Sequence, residues 1–219
     1  MTATSNAPAE PSRDCDLCPR LVRYRRDNAS AHPGWFNGAV PSFGDENARL
    51  VVVGLAPGVT GANRTGRPFT GDYAGELLYG TLLKFGFAHG AYAARPDDGL
   101  TLKDCLITNA VRCVPPENKP LPEEIKLCRP HLGARLAALP NARAILALGR
   151  IAHDSVIATF GVKAKAAPFG HGNTHALNAR ITLFDSFHCS RYNTNTRRLT
   201  PEMFESVFAR IRESLTAHE

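Results

Sequence analysis

The sequence predicts an α/β fold of three layers, with helices on both faces of a central, mainly parallel four-stranded sheet. Three observations carry this expectation. Short apolar runs of strand length recur at Leu50–Val53, Leu106–Val111, Ala144–Leu148 and Ile181–Ser186, and near-continuous apolarity marks strands covered on both faces. A stretch with helical spacing follows each run, which is the pattern of βα units. The chemically rich residues fall after the first, second and fourth runs, and such segments converge at the carboxyl edge of an open sheet.

With 219 residues, 43% of them hydrophobic, the chain can bury one substantial core. No shift of composition divides it. Residues 14–219 read as a single domain behind a polar tail, 1–13, whose alanine, serine and proline content predicts disorder. No apolar run approaches the ~18–20 residues of a membrane span, and the N-terminus lacks the hydrophobic stretch of a signal peptide. A soluble, cytoplasmic and monomeric protein is expected. A net charge of +6 favours a polyanionic partner. The six cysteines are expected to be reduced in that compartment rather than paired in disulfides.

Along the chain, Asp14 to Arg26 holds a Cys-x-x-Cys pair, Cys15 and Cys18, and then a basic helical turn. The loop that follows carries the only tryptophan, Trp35. After the first strand, Gly54, Pro57, Gly58, Gly61, Gly66 and Gly71 argue against regular structure until Asp72. A helix then runs from Tyr73 to Phe85, with Leu77, Leu78, Leu82 and Leu83 on one face. Beyond the second strand, the prolines between Pro115 and Pro122 predict an extended path. Pro122, Glu123 and Glu124 suit a first helical turn, opening a helix to about Leu139. Gly149 to Phe160 follows the third strand as a helix, and Gly161 to Ala179 reads as a loop. An amphipathic helix from Pro201 to about Leu215 closes the chain.

Cys15, Cys18, Cys113 and Cys128 are candidate ligands of one metal centre. Four thiolates suit either structural zinc or an iron–sulfur cluster, and ligand type does not separate the two. Unrelated buried thiols are the plainer alternative, and Cys105 and Cys189 read as small apolar side chains. The segment GANRTGR superficially resembles a triphosphate-binding loop, but Arg67 and Pro68 stand where lysine and serine or threonine belong. A nucleobase site fits better, with Phe69 as stacking face and Arg64 and Arg67 meeting phosphates. Asp72 reads as a helix cap that can also face a substrate. His188 emerges from the fourth strand into a polar, basic loop with Arg191, Asn193, Asn195, Arg197 and Arg198, which suits a nucleic-acid strand. Tyr192 fits a wedge beside an extruded base or a packed aromatic. His131 and His153 read as structural, and His171 and His175 sit in a loop whose placement the sequence does not give.

Five blocks, VPSFGD at Val40–Asp45, GLAPG at Gly54–Gly58, GANRTGRPFTGD at Gly61–Asp72, ITNAVRCVPPENKP at Ile107–Pro120 and HCSRYN at His188–Asn193, together resemble the family 5 uracil-DNA glycosylases of the UdgB type. The resemblance covers nearly the whole ordered chain in the right order. It implies the α/β/α uracil-DNA glycosylase fold, a [4Fe–4S] cluster on Cys15, Cys18, Cys113 and Cys128, and excision from DNA of uracil and other deaminated bases such as hypoxanthine. Leu55 stands where family 4 enzymes have the glutamate of GEAPG, and the resemblance implies that Asp72 takes over that task. On this reading Phe69 stacks on the base, and Asn109 bonds its edge. His188 donates toward the departing oxygen, and Asp72 stabilises the cationic sugar or orients water above the backbone of Gly54, Leu55 and Ala56. Asn193 joins the base site, and Arg64, Arg67, Arg191, Tyr192 and Arg197 contact DNA. No lysine lies in these motifs, so a monofunctional glycosylase without lyase activity is expected. Two alternatives stay open: a stricter, uracil-only family 4-like enzyme, and a metal-containing DNA-binding module without catalysis.

Overall fold

Val51, Val52 and Val53 are fully buried because their strand lies at the middle of the sheet, with a neighbour on each side and helices above and below. The computed structural model describes residues 8–217. In chain order the elements are α1 (Pro19–Ala31), β1 (Phe43–Gly44), β2 (Leu50–Gly54), α2 (Ala62–Thr65), α3 (Tyr73–Lys84), β3 (Ala88–His89), β4 (Thr101–Leu102) and β5 (Cys105–Asn109). A 3-10 turn (Pro116–Asn118) leads to α4 (Pro122–Ala137), β6 (Ala144–Leu148), α5 (Arg150–Thr159), β7 (Thr174–Ala176), β8 (Thr182–Ser186), α6 (Arg191–Asn195) and α7 (Pro201–Thr216). Sheet order is β1-β5-β2-β6-β8-β7. The four inner strands run parallel, and β1 and β7 are antiparallel edges.

The expected four-stranded sheet is thus the parallel centre of six strands. Each edge strand is too short to show a period; β7 forms inside the expected Gly161–Ala179 loop only because β8 offers it an open edge. Successive residues of β2 serve opposite faces. Leu50 and Val52 join one cluster with Leu78 and Leu82 of α3 and Phe204 and Phe208 of α7. Val51 and Val53 join another with Leu132 of α4 and Val156 of α5. Among the described residues, no helix is long and apolar enough to cross a membrane.

Residues 1–7 of the expected disordered tail lie outside the described residues. Residues 8–13 are packed rather than free: the Glu10 carboxylate accepts from buried Arg112 at 2.8 Å, and His131 Nδ1 donates to the Pro8 carbonyl at 2.8 Å. Three further stretches differ from expectation. One helical turn, α2, interrupts the glycine-rich segment and ends on Gly66, whose φ of 76° supplies the left-handed C-cap. The proline-rich path is not extended throughout, since Glu117 and Asn118 are left-handed, at φ 55° and 56°. The loop after the fourth strand winds into α6, capped by the Ser190 hydroxyl accepting from Asn193 N–H.

Arg67 is not available to meet a phosphate. It is 4% exposed, and its two terminal nitrogens each donate to Asp98 at 2.8 Å while Nε donates to Thr70 Oγ1 at 2.7 Å. The guanidinium lies 5.1 Å and 5.4 Å from the ring centroids of Phe43 and Tyr79. Asp98 also accepts from the backbone N–H groups of Ala93 and Leu100. Tyr79 and Tyr92 hydroxyls donate to the carbonyls of Pro68 and Phe69. Residues 67–70 are therefore fastened to the core from several directions. The Arg67 hydrogen bonds hold the Asp98 carboxyl well below the usual carboxylate range against the opposing effect of burial. A carboxyl lowered on folding contributes stability above its unfolded value of ~4 that is lost as pH falls through its folded value. Asp98→Asn should cost about 3 kcal/mol in urea unfolding at pH 7, as removal of one partner from a buried pair does, with the difference from wild type shrinking below pH ~4. A loss under ~1 kcal/mol would remove the ion pair as the anchor of this segment.

Candidate active site

The carboxyl edge of the sheet opens into a cleft of about 470 Å3. Leu55, Ala56, Phe69 and Asp72 reach it from the segment after β2, Asn109 and Asn118 from β5 and beyond, and His188 and Arg191 from the segment after β8. Its floor depends on Gly54, which pairs in register with Asn109. A Cβ at Gly54 would lie 2.6 Å from Phe69 Cζ and would strike Asn109 Oδ1. Only glycine lets the ring and the amide meet over that strand end. Phe69 holds its ring there from a left-handed backbone, φ 53°, an arrangement that the Arg67 and Tyr92 contacts stabilise. The Phe69 and His188 rings are near-parallel, 26° apart with centroids at 5.9 Å. Asn109 Oδ1 is buried with no hydrogen-bond partner among the described residues. A buried amide end without a partner is a group set for a ligand.

Asp72 divides its carboxylate between two tasks. Oδ1 accepts from Gly75 N–H at 3.2 Å, capping α3. Oδ2 faces Gly58 and Gly61, where a Cβ at Gly58 would lie 3.4 Å from it and one at Gly61 would clash. Burial raises the Asp72 pKa, with the backbone N–H groups of Gly75 and Ala74 opposing; no cation is among the causes. His188 follows the β8 exit, where Asn193 Nδ2 donates to its carbonyl at 2.8 Å. Burial pushes the His188 imidazole down to about 4, so near neutral pH it is an uncharged ring that can donate one hydrogen bond. The cleft thus places an uncompensated carboxylate and a neutral donor around one aromatic face.

The other expected residues separate by position. Leu55 and Ala56 line the cleft with apolar surface, and Arg191 stands at its wall with its guanidinium 5.2 Å from the Tyr73 ring centroid. Tyr192 is 72% exposed on α6. Arg197 lines a neighbouring groove beside Tyr73. Arg64 is exposed, its Nε donating to the Thr60 carbonyl at 2.8 Å. Asn193 is absent from the cleft lining and serves to shape the His188 turn. Asn118 was not foreseen: the left-handed turn carries its side chain to the cleft, on the same side of Gly58 as Asp72. The sequence signal for it is an asparagine among prolines, the residue type that accepts φ > 0 most readily after glycine.

His153, expected to be structural, lies between two acceptors, Asp185 Oδ1 at 2.7 Å and the Ala167 carbonyl at 2.9 Å. Although burial opposes the charge, Asp185 raises its pKa. His175 Nε2 meets the other Asp185 oxygen at 3.3 Å. Asp185 is three residues before His188, so this buried charge network supports the strand that delivers it.

Cys15, Cys18, Cys113 and Cys128 come together in one small cluster against Leu21 and Val111. Ala56 belongs both to that cluster and to the cleft wall. Burial, then the charges of neighbouring groups including the other thiolates, pushes the Cys18 thiol up to about 11; burial raises Cys113 to about 12, opposed by the Arg25 charge and helped by the other three thiols. Cys128 Sγ accepts from Arg112 N–H at 3.4 Å, and the Nε of Arg25 is buried without a partner among the described residues. Cys105 and Cys189 are fully buried and apart from this cluster.

The model of the uracil DNA glycosylase superfamily matches residues 41–212. A type-5 uracil-DNA glycosylase of Thermus thermophilus is 45% identical over 199 residues, spanning 88% of this chain and 90% of that protein. One of Pyrobaculum aerophilum is 40% identical over 202 residues, spanning 90% and 87%. A type-4 uracil-DNA glycosylase of the same organism is 34% identical over 154 residues, 70% of this chain and 64% of that protein.

Because burial depresses His188, its ring signals in an NMR titration should stay those of neutral imidazole from pH 8 to below pH ~6. A midpoint at or above the ordinary ~6.5 would show an imidazolium at neutral pH and a different charge balance in the cleft.

Proposed function

The chain belongs to the uracil DNA glycosylase superfamily, and we propose that this uracil-excising enzyme of DNA repair is a monofunctional glycosylase that also removes other deaminated bases. The carrying observation is the pairing, across one cleft, of a carboxylate that lacks a cation with a histidine that lacks a charge. Breaking a glycosidic bond leaves the electron pair on the base and a cationic, oxocarbenium-like sugar. Charge therefore develops with the sign each group can stabilise.

A base inside a duplex cannot reach such a cleft, so the nucleotide must be extruded, at a cost of a few kcal/mol that is least at a mismatch. Phe69 then offers a stacking face. The Asn109 amide supplies both donor and acceptor to the lactam edge of uracil, where N–H and C=O stand side by side. His188 donates toward the oxygen that gains negative charge. Asp72 faces the sugar cation and accepts a proton from the water that adds to it; burial, which raises its pKa, suits it to that task. The departing base anion is protonated from solvent. Leu55 offers no polar group to this water, and Asp72, with Asn118 nearby, supplies the carboxylate and amide on that side.

Hypoxanthine carries the same adjacent N–H and C=O as uracil, and Leu55, Ala56 and Gly58 keep that part of the wall small and apolar. This is what supports a range wider than uracil. Exposed Arg64, Arg191 and Arg197 are the groups suited to DNA phosphates, and Tyr192 to the stack beside the extruded base; Arg67 is excluded by its burial.

The four clustered cysteines fit a [4Fe–4S] centre. Thiols whose pKa burial raises would stay protonated at neutral pH unless a metal centre held them as thiolates, and the unpartnered Arg25 Nε is a donor at hand for such a group. Four thiolates also suit a tetrahedral zinc, and the resemblance to the family 5 enzymes is what favours the cluster. When bound, the cluster would cross-link the segment leading into α1, which carries Cys15 and Cys18, to Cys113 after β5 and Cys128 within α4, and brace the cleft wall at Ala56. We place the enzyme, as a monomer, in the cytoplasm with the DNA it repairs.

The test is incubation of protein of measured iron and sulfide content with end-labelled DNA holding one G·U, G·hypoxanthine or A·U site, followed by hot alkali. Cleavage at uracil and hypoxanthine, and none before alkali, is expected. Cleavage at uracil alone would restrict the enzyme to the type-4-like range, and cleavage without alkali would mean lyase chemistry.

A further inference from the structure

The single tryptophan has no part in the base cleft, yet it is built into a second one beside it. This neighbouring cleft, about 420 Å3, is lined by Trp35, Phe36, Arg64, Thr65 and Arg95. Trp35 is only partly buried, and its ring is stacked on that of exposed His32, centroids 3.9 Å apart and 11° from parallel. Arg64 connects the two clefts: it lines the second, while its Nε is bonded at 2.8 Å to Thr60, which lines the first.

The platform is fixed to the catalytic segment rather than merely close to it. Phe36 N–H donates to the Arg64 carbonyl at 3.0 Å, and Asn37 N–H to the Asn63 carbonyl at 2.9 Å. Left-handed Asn37, φ 49°, donates through Nδ2 to the His32 carbonyl at 2.9 Å and accepts through Oδ1 from buried Asn63 Nδ2 at 3.0 Å. A loop serving only as a connection does not need such anchoring to an active-site segment. The charge of the cleft is positive. Arg13 lies 4.8 Å from the Phe36 ring centroid. Arg95 is exposed, and its contact to exposed Asp97 at 3.6 Å is too loose and solvated to occupy it.

We propose that this cleft is a strand-binding subsite that takes a nucleotide flanking the extruded one, its base on the His32–Trp35 stack and its phosphate between Arg64 and Arg95. A stacking face beside guanidinium groups is the combination that holds single-stranded nucleic acid without reading its sequence. Continuity with the base cleft through Arg64 makes the DNA strand the occupant. The proposal rests on the uracil-excision reading and extends it along the strand.

Because Trp35 is the only tryptophan, its fluorescence reports on this cleft alone. Titration with a uracil-free single-stranded oligonucleotide long enough to cross both clefts should quench it. Trp35→Ala should weaken binding of that oligonucleotide about tenfold, and Trp35→Phe by less. Neither should alter the single-turnover excision rate at saturating DNA. Arg95→Ala, on the surface and safe for folding, should reduce the salt dependence of binding by about one phosphate contact. Unchanged Trp35 emission on binding an oligonucleotide that the protein also excises from would overturn the subsite and leave the glycosylase intact. Quenching by a uracil-containing oligonucleotide that yields no abasic product would overturn the premise of uracil excision instead.

Discussion

The buried ion pair between Arg67 and Asp98 is the constraint on which the site depends. A segment with glycines at 54, 58, 61, 66 and 71 has little tendency to hold one conformation, since each glycine loses the most backbone freedom on ordering. Yet the proposed chemistry calls for Phe69 against Gly54, and Asp72 poised between a helix terminus and the cleft. Two parallel hydrogen bonds from Arg67 to Asp98, a third to Thr70 and the tyrosine hydroxyls on Pro68 and Phe69 supply that order. The glycines permit close approach, and the ion pair selects which approach is made.

This division explains what the sequence revealed. The inner strands were legible because burial on both faces leaves a continuous apolar run. Asp72, Asn109 and His188 were legible because each stands where a strand ends or a helix begins, and such positions face the carboxyl edge. Arg67 misled, since an arginine in a glycine-rich loop reads as exposed; its partner is 31 residues away, in a segment with no apolar period. Edge strands of two and three residues are decided by a neighbour rather than by their own pattern. Asn118 was hidden by the prolines around it, which predict extension and not a left-handed turn. The His153–Asp185 pair joins residues that only the packing of α5 on β8 brings together.

The energetic logic of the cleft is one of incomplete satisfaction. Burial disfavours the charged forms of both Asp72 and His188, and Asn109 keeps a buried oxygen without a partner among the described residues. On the proposed mechanism the Asn109 oxygen finds its partner when a base binds, and Asp72 and His188 meet charge as it develops on sugar and base. Rigid surroundings, from the Asp185 network under β8 to the cysteine cluster behind Ala56, keep the side chains from relaxing toward one another.

The most direct measurement is of Asp72→Asn, with stability and single-turnover excision followed on the same preparation. Asparagine is as good a helix cap as aspartate, and a group whose pKa is raised on folding contributes less as pH rises above it. The variant should therefore melt at the same temperature as wild type or higher at pH 7, bind uracil-containing DNA, and excise on the order of 10²–10³-fold more slowly. A protein whose activity falls only as far as its stability does would show that Asp72 acts through the fold and not on the substrate, and one that excises at the wild-type rate would contradict the charge-based account.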